Sequence, residues 1–187
     1  MRVAIALLAA SALCVAFAAH YAVGYAAGPQ ATPDGALGRG FGDKYAWYKL
    51  DAGIRLIADT GRPGMIVVHK SWCGACKSLG PVFAAAKPVL DEAHNFVMIN
   101  VFDDEEPSTP DFGPDGKYIP RIMFTDGRGR IRTEITSPNP KYKYFYAQPN
   151  DIVNSMHAAL ALANNLKNAA EQVAEPATHE HSGHAEL

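Results

Sequence analysis

The stretch that decides the fold runs Met65-Ile66-Val67-Val68-His69-Lys70-Ser71-Trp72-Cys73-Gly74-Ala75-Cys76-Lys77. Met65 to His69 is a short apolar run with two valines, the pattern of a strand buried on both faces. Gly74 to about Ala86 reads as a helix, with Pro81 inside it as a kink. The two cysteines therefore stand where a strand hands over to a helix. Unpaired backbone N–H groups and the helix dipole there favour negative charge on the first cysteine, and the thiolate is the form that attacks disulfides. The second cysteine lies one turn deeper, close enough to attack a mixed disulfide and release the partner. Cys73 is expected as the exposed nucleophile and Cys76 as the buried resolving thiol.

Other uses of such a pair stay open at this point. Zinc would need two further ligands, and His69, His94 and His157 are scattered with no second cysteine pair, so no metal is expected. A structural disulfide closing so short a loop would add little stability. Two inert thiols fit poorly with Gly74 and Ala75, which leave the helix start uncluttered. No cofactor is expected beyond the redox-active pair itself.

The ends of the chain bear on the compartment. Arg2 is followed by an uncharged, Ala-rich stretch from Val3 to Gly28, which reads as a secretory signal peptide over 1–26. Ala16-Phe17-Ala18 and Ala22-Val23-Gly24 are alternative cleavage sites, and an uncleaved anchor is the competing reading. Of three cysteines, Cys14 leaves with the leader. A disulfide-stapled secreted domain would show four, six or eight, so the remaining two point to redox chemistry. The last four residues, His184-Ala185-Glu186-Leu187, are similar to the endoplasmic-reticulum retrieval signal, with Ala185 in place of the acidic residue. The other tail histidines, His179 and His181, read as part of a solvated tail. A formal charge of -2 gives no electrostatic reason to expect nucleic acid as a partner.

Outward from the cysteines, Leu50, Ile54 and Ile57 recur at helical spacing until Gly61-Arg62-Pro63-Gly64 stops the helix. Phe96 to Phe102 is a second strand, followed by a loop from Asp103 to Gly116 whose acidic part, Asp103 to Asp111, reads as solvated and lacks the spacing of a calcium loop. Ile119 to Thr125 is a third strand, turned by Gly127-Arg128-Gly129 into a hairpin with Arg130 to Ile135. A last helix begins near Asn150 or Asp151 and buries Ile152, Met156, Ala159 and Ala163. The aromatics Tyr142, Tyr144, Phe145 and Tyr146 either line a groove for unfolded protein or pack on that helix. The chain thus divides into the leader, a flexible segment over 27–40, one domain over 41–172 and a polar tail over 173–187. The expected fold is α/β: a central mixed sheet with helices on both faces.

Trp72-Cys73-Gly74-Ala75-Cys76-Lys77 with Pro81 five residues on resembles a thioredoxin active site. Ile119-Pro120 before a strand sits where the thioredoxin-like fold carries its cis-proline loop, which lies beside the cysteines and pairs with the substrate backbone. His69 to Cys76, Asn95 to Met98, Tyr118 to Ile122 and Tyr142 to Tyr146 further resemble the anterior gradient family, from about residue 41 onward. That resemblance implies a thiol–disulfide oxidoreductase of the endoplasmic-reticulum lumen. Its partners would be folding secretory proteins with cysteines, glutathione or an upstream oxidase, and the retrieval receptor. Cys73 and Cys76 would be catalytic, with Trp72, Gly74, Ala75, Ile119 and Pro120 in support. Other members replace the second cysteine by serine and act more as binding proteins. Two departures stand out. Many thioredoxins hold a buried carboxylate six residues before the first cysteine, where this chain has Val67, and the usual lysine partner falls near Met98. Another group must relay the Cys76 proton, or turnover there is slow.

Overall fold

The computed structural model describes residues 35–174. The leader, both of its cleavage sites, the tail histidines and the last four residues lie outside them. Four strands form one sheet: β1 (Trp47–Tyr48), β2 (Gly64–His69), β3 (Val97–Phe102) and β4 (Arg121–Phe124). Their spatial order is β1-β3-β2-β4, with β3 parallel to both β1 and β2, and β4 antiparallel to β2. The helices are α1 (Leu50–Thr60), α2 (Gly74–Ala85), α3 (Lys87–Glu92) and α4 (Pro149–Ala174).

The mixed sheet is covered on both faces because alternate residues of its central strands are apolar on both sides. Met65, Val67, Met98, Ile122 and Phe124 pack with Leu79 and Phe83 of α2, Val89 of α3, and Ile152, Met156 and Ala159 of α4. Ile66, Val68, Ile99, Val101 and Met123 pack with Ile57 of α1, together with Phe112 and Tyr144. Each Val, Leu, Ile, Met or Phe side chain among them contributes roughly 1.5–3 kcal/mol on burial. Helix α1 ends where expected, at Gly61, whose φ of 69° is left-handed and whose N–H reaches Ile57 O at 2.8 Å. Ile152, Met156 and Ala159 are buried as anticipated, with Ala163 half-buried beyond them.

Several expectations need correction. The hairpin over 119–135 does not form as two strands: Thr125 and Ile131 make an isolated bridge. The free edge of β4 is shared: Ile122 N–H donates to Tyr144 O at 2.9 Å, and Phe124 O accepts the Arg132 N–H at 2.8 Å. Buried Asp126 shapes the turn, accepting the N–H groups of Arg128 and Arg130 at 2.9 and 3.1 Å. The 27–40 segment is too long as a flexible boundary, since Gly35–Gly38 form a 3-10 turn and Leu37 is buried in the core. Helix α4 runs to Ala174, past the expected start of the tail at 173. Strand β1 and helix α3 had not been read from the sequence. The first is only two residues long, and the second follows directly on a break at Ala86.

One close approach fixes the N-terminal segment against the helix that carries the cysteines. A Cβ built on Gly80 in α2 would lie 2.5 Å from the carbonyl oxygen of Gly40. Gly74 faces open space, with nothing within 4 Å of a Cβ added there. Gly80→Ala should therefore lower stability by about 1–3 kcal/mol, read as a lower urea midpoint. Gly74→Ala should stay within about 0.5 kcal/mol of the unsubstituted protein.

Candidate active site

Strand β2 ends at His69, and the chain turns through Lys70, Ser71 and Trp72 so that Cys73 becomes the N-cap of α2, with φ -80° and ψ 116°. In that extended conformation the Cys73 side chain folds over the helix start. Its Sγ accepts the N–H of Cys76 at 3.1 Å, one of the amides that a helix N-terminus leaves without a backbone partner. The same sulfur lies 3.8 Å from the carbonyl oxygen of Ile119. The Ile119–Pro120 peptide bond is cis, as expected, and Pro120 is buried. The two predicted loops therefore do meet at Cys73.

Both thiols are free. Cys73 is 7% exposed and Cys76 2%, so the expected order of exposure holds but Cys73 is more covered than anticipated. Burial pushes the Cys76 thiol up to about 12, and the Cys73 sulfur beside it adds in the same direction. Trp72 is 73% exposed, a large aromatic surface beside the nucleophile. Gly74 and Ala75 are exposed too, which leaves an open rim around Cys73. Among the described residues no group of three or more His, Cys, Asp or Glu side chains could hold a metal ion.

The acidic run after β3 is only in part the solvated loop that the sequence suggests: Asp104, Glu105 and 108–111 are exposed, while Asp103 and Glu106 are half-buried and paired. Asp103, held at a φ of 48°, accepts the Ser71 N–H on its carboxylate at 2.7 Å, and its carbonyl takes the Lys70 ammonium. Glu106 lies 3.3 Å from Lys70 Nζ and also pairs with Arg121, a side chain with no exposed surface. Arg121 Nη1 in turn donates to Tyr118 O. This chain of charges ties the loop before Cys73 to the loop before β4. The aromatics divide between their two alternatives: Tyr146 bonds Ser155 of α4 at 2.9 Å and Tyr144 bonds Thr133 O at 2.8 Å, both buried, while Tyr142 is exposed.

The sequence reading missed Glu106 and the role of His69. His69 is 2% exposed on β2, with Nε2 2.8 Å from Asn100 Oδ1. Strand alternation was the available signal: Val67 pairs with Asn100 across β2 and β3, so Val67, His69 and Asn100 share the α2 face of the sheet.

Residues 46–127 match a family model described as thioredoxin-like. Anterior gradient protein 3 of Mus musculus is 33% identical over 135 residues, covering 70% of this chain and 80% of that protein. Anterior gradient protein 2 homolog of Homo sapiens is 33% identical over 129 residues, covering 67% of this chain and 73% of the relative. Thioredoxin O2 of Arabidopsis thaliana in its oxidized state is 15% identical, with a TM-score of 0.37 over 69% of this chain and 95% of that one.

Two predictions follow from the geometry. At pH 8 a thiol titrating at about 12 is ionised to about one part in ten thousand. Iodoacetamide at pH 8 should thus add one equivalent rapidly, at Cys73, as read by peptide mass. Glu106→Gln leaves the buried Arg121 charge without a counter-charge and should cost about 3 kcal/mol in urea unfolding.

Proposed function

The chain belongs to the anterior gradient family of thioredoxin-like proteins, and on that premise we propose that it is a protein thiol–disulfide oxidoreductase of the endoplasmic reticulum. The observation that carries this reading is the Cys73 sulfur at the N-terminus of α2, 3.1 Å from the Cys76 N–H and 3.8 Å from Ile119 O. The amide favours negative charge on Cys73, and the neighbouring backbone of Ile119 is available to pair with a client chain.

In the reducing direction the Cys73 thiolate attacks a client disulfide. One client sulfur joins Cys73 in a mixed disulfide and the other leaves as a thiolate. Cys76, after losing its proton, attacks Cys73 Sγ, forms the Cys73–Cys76 disulfide and releases the second client thiolate. In the oxidising direction the same steps run backwards, and glutathione or an upstream oxidase resets the pair. The exposed Trp72 and the rim of Gly74 and Ala75 admit the client, and Ile119 and Pro120 offer it a backbone edge.

Within the family the finer resemblance is to thioredoxin domain-containing protein 12, through His69–Cys76, Asn95–Met98, Tyr118–Ile122 and Tyr142–Tyr146. The retained Cys76 favours a full dithiol cycle. Residence in the lumen rests on the leader read over 1–26 and on His184-Ala185-Glu186-Leu187 as a retrieval signal for its receptor. A second reading, a client-binding folding factor with little turnover, draws on the exposed apolar surface of Trp72 and Val82.

Titration in glutathione buffers with thiol trapping tests the proposal. A reversible two-electron transition at roughly -180 to -210 mV, the poise of the compartment, is the expected result. A pair still oxidised below about -300 mV would be a structural disulfide, and the enzyme reading would fall. Cys76→Ser should abolish turnover and accumulate mixed disulfides with clients. An unchanged client profile would favour the binding factor.

A further inference from the structure

The dithiol cycle requires Cys76 to shed a proton inside the protein. Burial holds that thiol near 12, so at pH 7 only about one molecule in a hundred thousand would carry the thiolate unaided. The strand beneath offers no carboxylate: Val67 has no exposed surface, and its neighbours across the sheet are Asn100 and Ile122. Behind the thiol, however, lies a cavity of about 340 Å³ whose walls include Cys76, His69, Lys70, Lys77, Arg39 and Phe41. His69 is the neutral base among them, and it reaches the cavity from the end of β2, on the α2 face of the sheet.

We propose that His69 is the general base that takes the Cys76 proton across this cavity when the mixed disulfide is resolved. The inference rests on the dithiol reading above. The hydrogen bonds around the imidazole settle which nitrogen acts. Asn100 Nδ2 donates to Gly38 O at 3.2 Å, which turns Asn100 Oδ1 toward His69. An amide oxygen only accepts, so Nε2 carries the hydrogen of the 2.8 Å bond and Nδ1 keeps its lone pair. The rings of Phe41 and Phe102, with centroids at 4.6 and 4.8 Å, hold the imidazole in place.

The electrostatics suit the role. Burial is the main cause that lowers His69 below its ordinary 6.5, and Arg39 pushes the same way, while the Asn100 bond, Asp103 and Glu105 oppose them. Lys70 and Lys77 also stand on the walls of the cavity, Lys70 with its charge paired to Glu106. The imidazole is therefore neutral at neutral pH and free to accept. When Cys73 enters the mixed disulfide, its charge and its hydrogen bond to Cys76 no longer hold the Cys76 proton in place. The two groups share the cavity wall, so the proton passes from Cys76 Sγ to His69 Nδ1 through water in the cavity. The resulting thiolate attacks Cys73 Sγ, the bond from Cys73 to the client sulfur breaks, and the client leaves as a thiolate. His69 then returns its proton to solvent through the cavity.

Stopped-flow oxidation of the reduced full chain by glutathione disulfide, followed by tryptophan fluorescence, separates two phases. The first depends on glutathione disulfide concentration and reports attack by Cys73; the second does not and reports resolution by Cys76. In the unsubstituted protein the second phase should rise with pH to a half-point below 6.5 and then level off. His69→Gln keeps a donor for Asn100 but does not titrate. It should slow the second phase at pH 7 at least tenfold, within the range for general bases, and restore a tenfold rise per pH unit up to pH 9. The first phase should change less than twofold. A second phase in His69→Gln that matches the parent at pH 7 overturns the proposal. So does a parent profile that climbs without levelling between pH 5 and 9, a result that needs no variant to fold. A parent that forms the glutathione adduct and never resolves it would instead sink the dithiol reading itself.

Discussion

Strand β2 pairs with β3 on one side and β4 on the other, and all six of its residues are buried. A strand fixed on both edges and both faces has no freedom in register, because a slip by one residue would turn its apolar side chains to the wrong layers. The position of His69 at its end is thereby set, and with it the start of the turn that carries Cys73. Helix α2 then has one direction open to it, across the face already lined by Met65 and Val67, where Leu79 and Phe83 seat it. The geometry of the thiols is a consequence of this packing. Cys73 caps the helix because β2 and α2 leave four residues, Lys70 to Cys73, between them.

The two loops that meet at Cys73 come from places far apart in sequence, and apolar packing alone would leave them independent. The charge chain from Lys70 through Glu106 to Arg121 joins them. Buried ion pairs contribute less to net stability than their Coulomb attraction suggests, since desolvation offsets most of the gain. Their geometric demand is stricter: a guanidinium with no exposed surface must keep its carboxylate. The pairing therefore holds the acidic loop, and through Asp103 the backbone of Ser71, in a fixed relation to β4. These constraints together bring the Cys73 thiol to where it donates to Ile119 O at 3.8 Å.

The parts of the fold that were legible in the sequence are those governed by short-range patterns. The apolar run 65–69, the helix stop at Gly61 and the stripe Ile152, Met156 and Ala159 each follow from periodicity or backbone chemistry. The Cys-x-x-Cys pair and the proline loop were legible for the same reason, as local motifs. The misread parts depend on partners distant in the chain. Arg130 to Ile135 has a strand-like composition and reaches the β4 edge at Phe124 and Thr125, but Tyr144 holds that edge at Ile122, a competition that no local window contains. The acidic run looks solvated until Arg121, fifteen residues on, is known to be buried against it. His69 looked like one of several scattered histidines, and only the pairing of β2 with β3 sets it beside Asn100.

A sheet face that carries Val67 and Met98 near its centre gains packing and loses charge there. An apolar pair at that depth excludes water, and water is what would otherwise carry a proton from a buried thiol. The polar groups of this face are Asn100, beside Val67, and His69 at the end of β2, where the cavity opens behind Cys76. There a neutral imidazole costs less to bury than a carboxylate, because a hydrogen bond to Asn100 satisfies it without an added counter-charge. Arg39, which disfavours an imidazolium at His69, stands on the same cavity wall as Cys76, where its charge would favour a thiolate. An interior that keeps its core apolar and its proton traffic at the rim thus resolves the conflict between packing a resolving cysteine and ionising it.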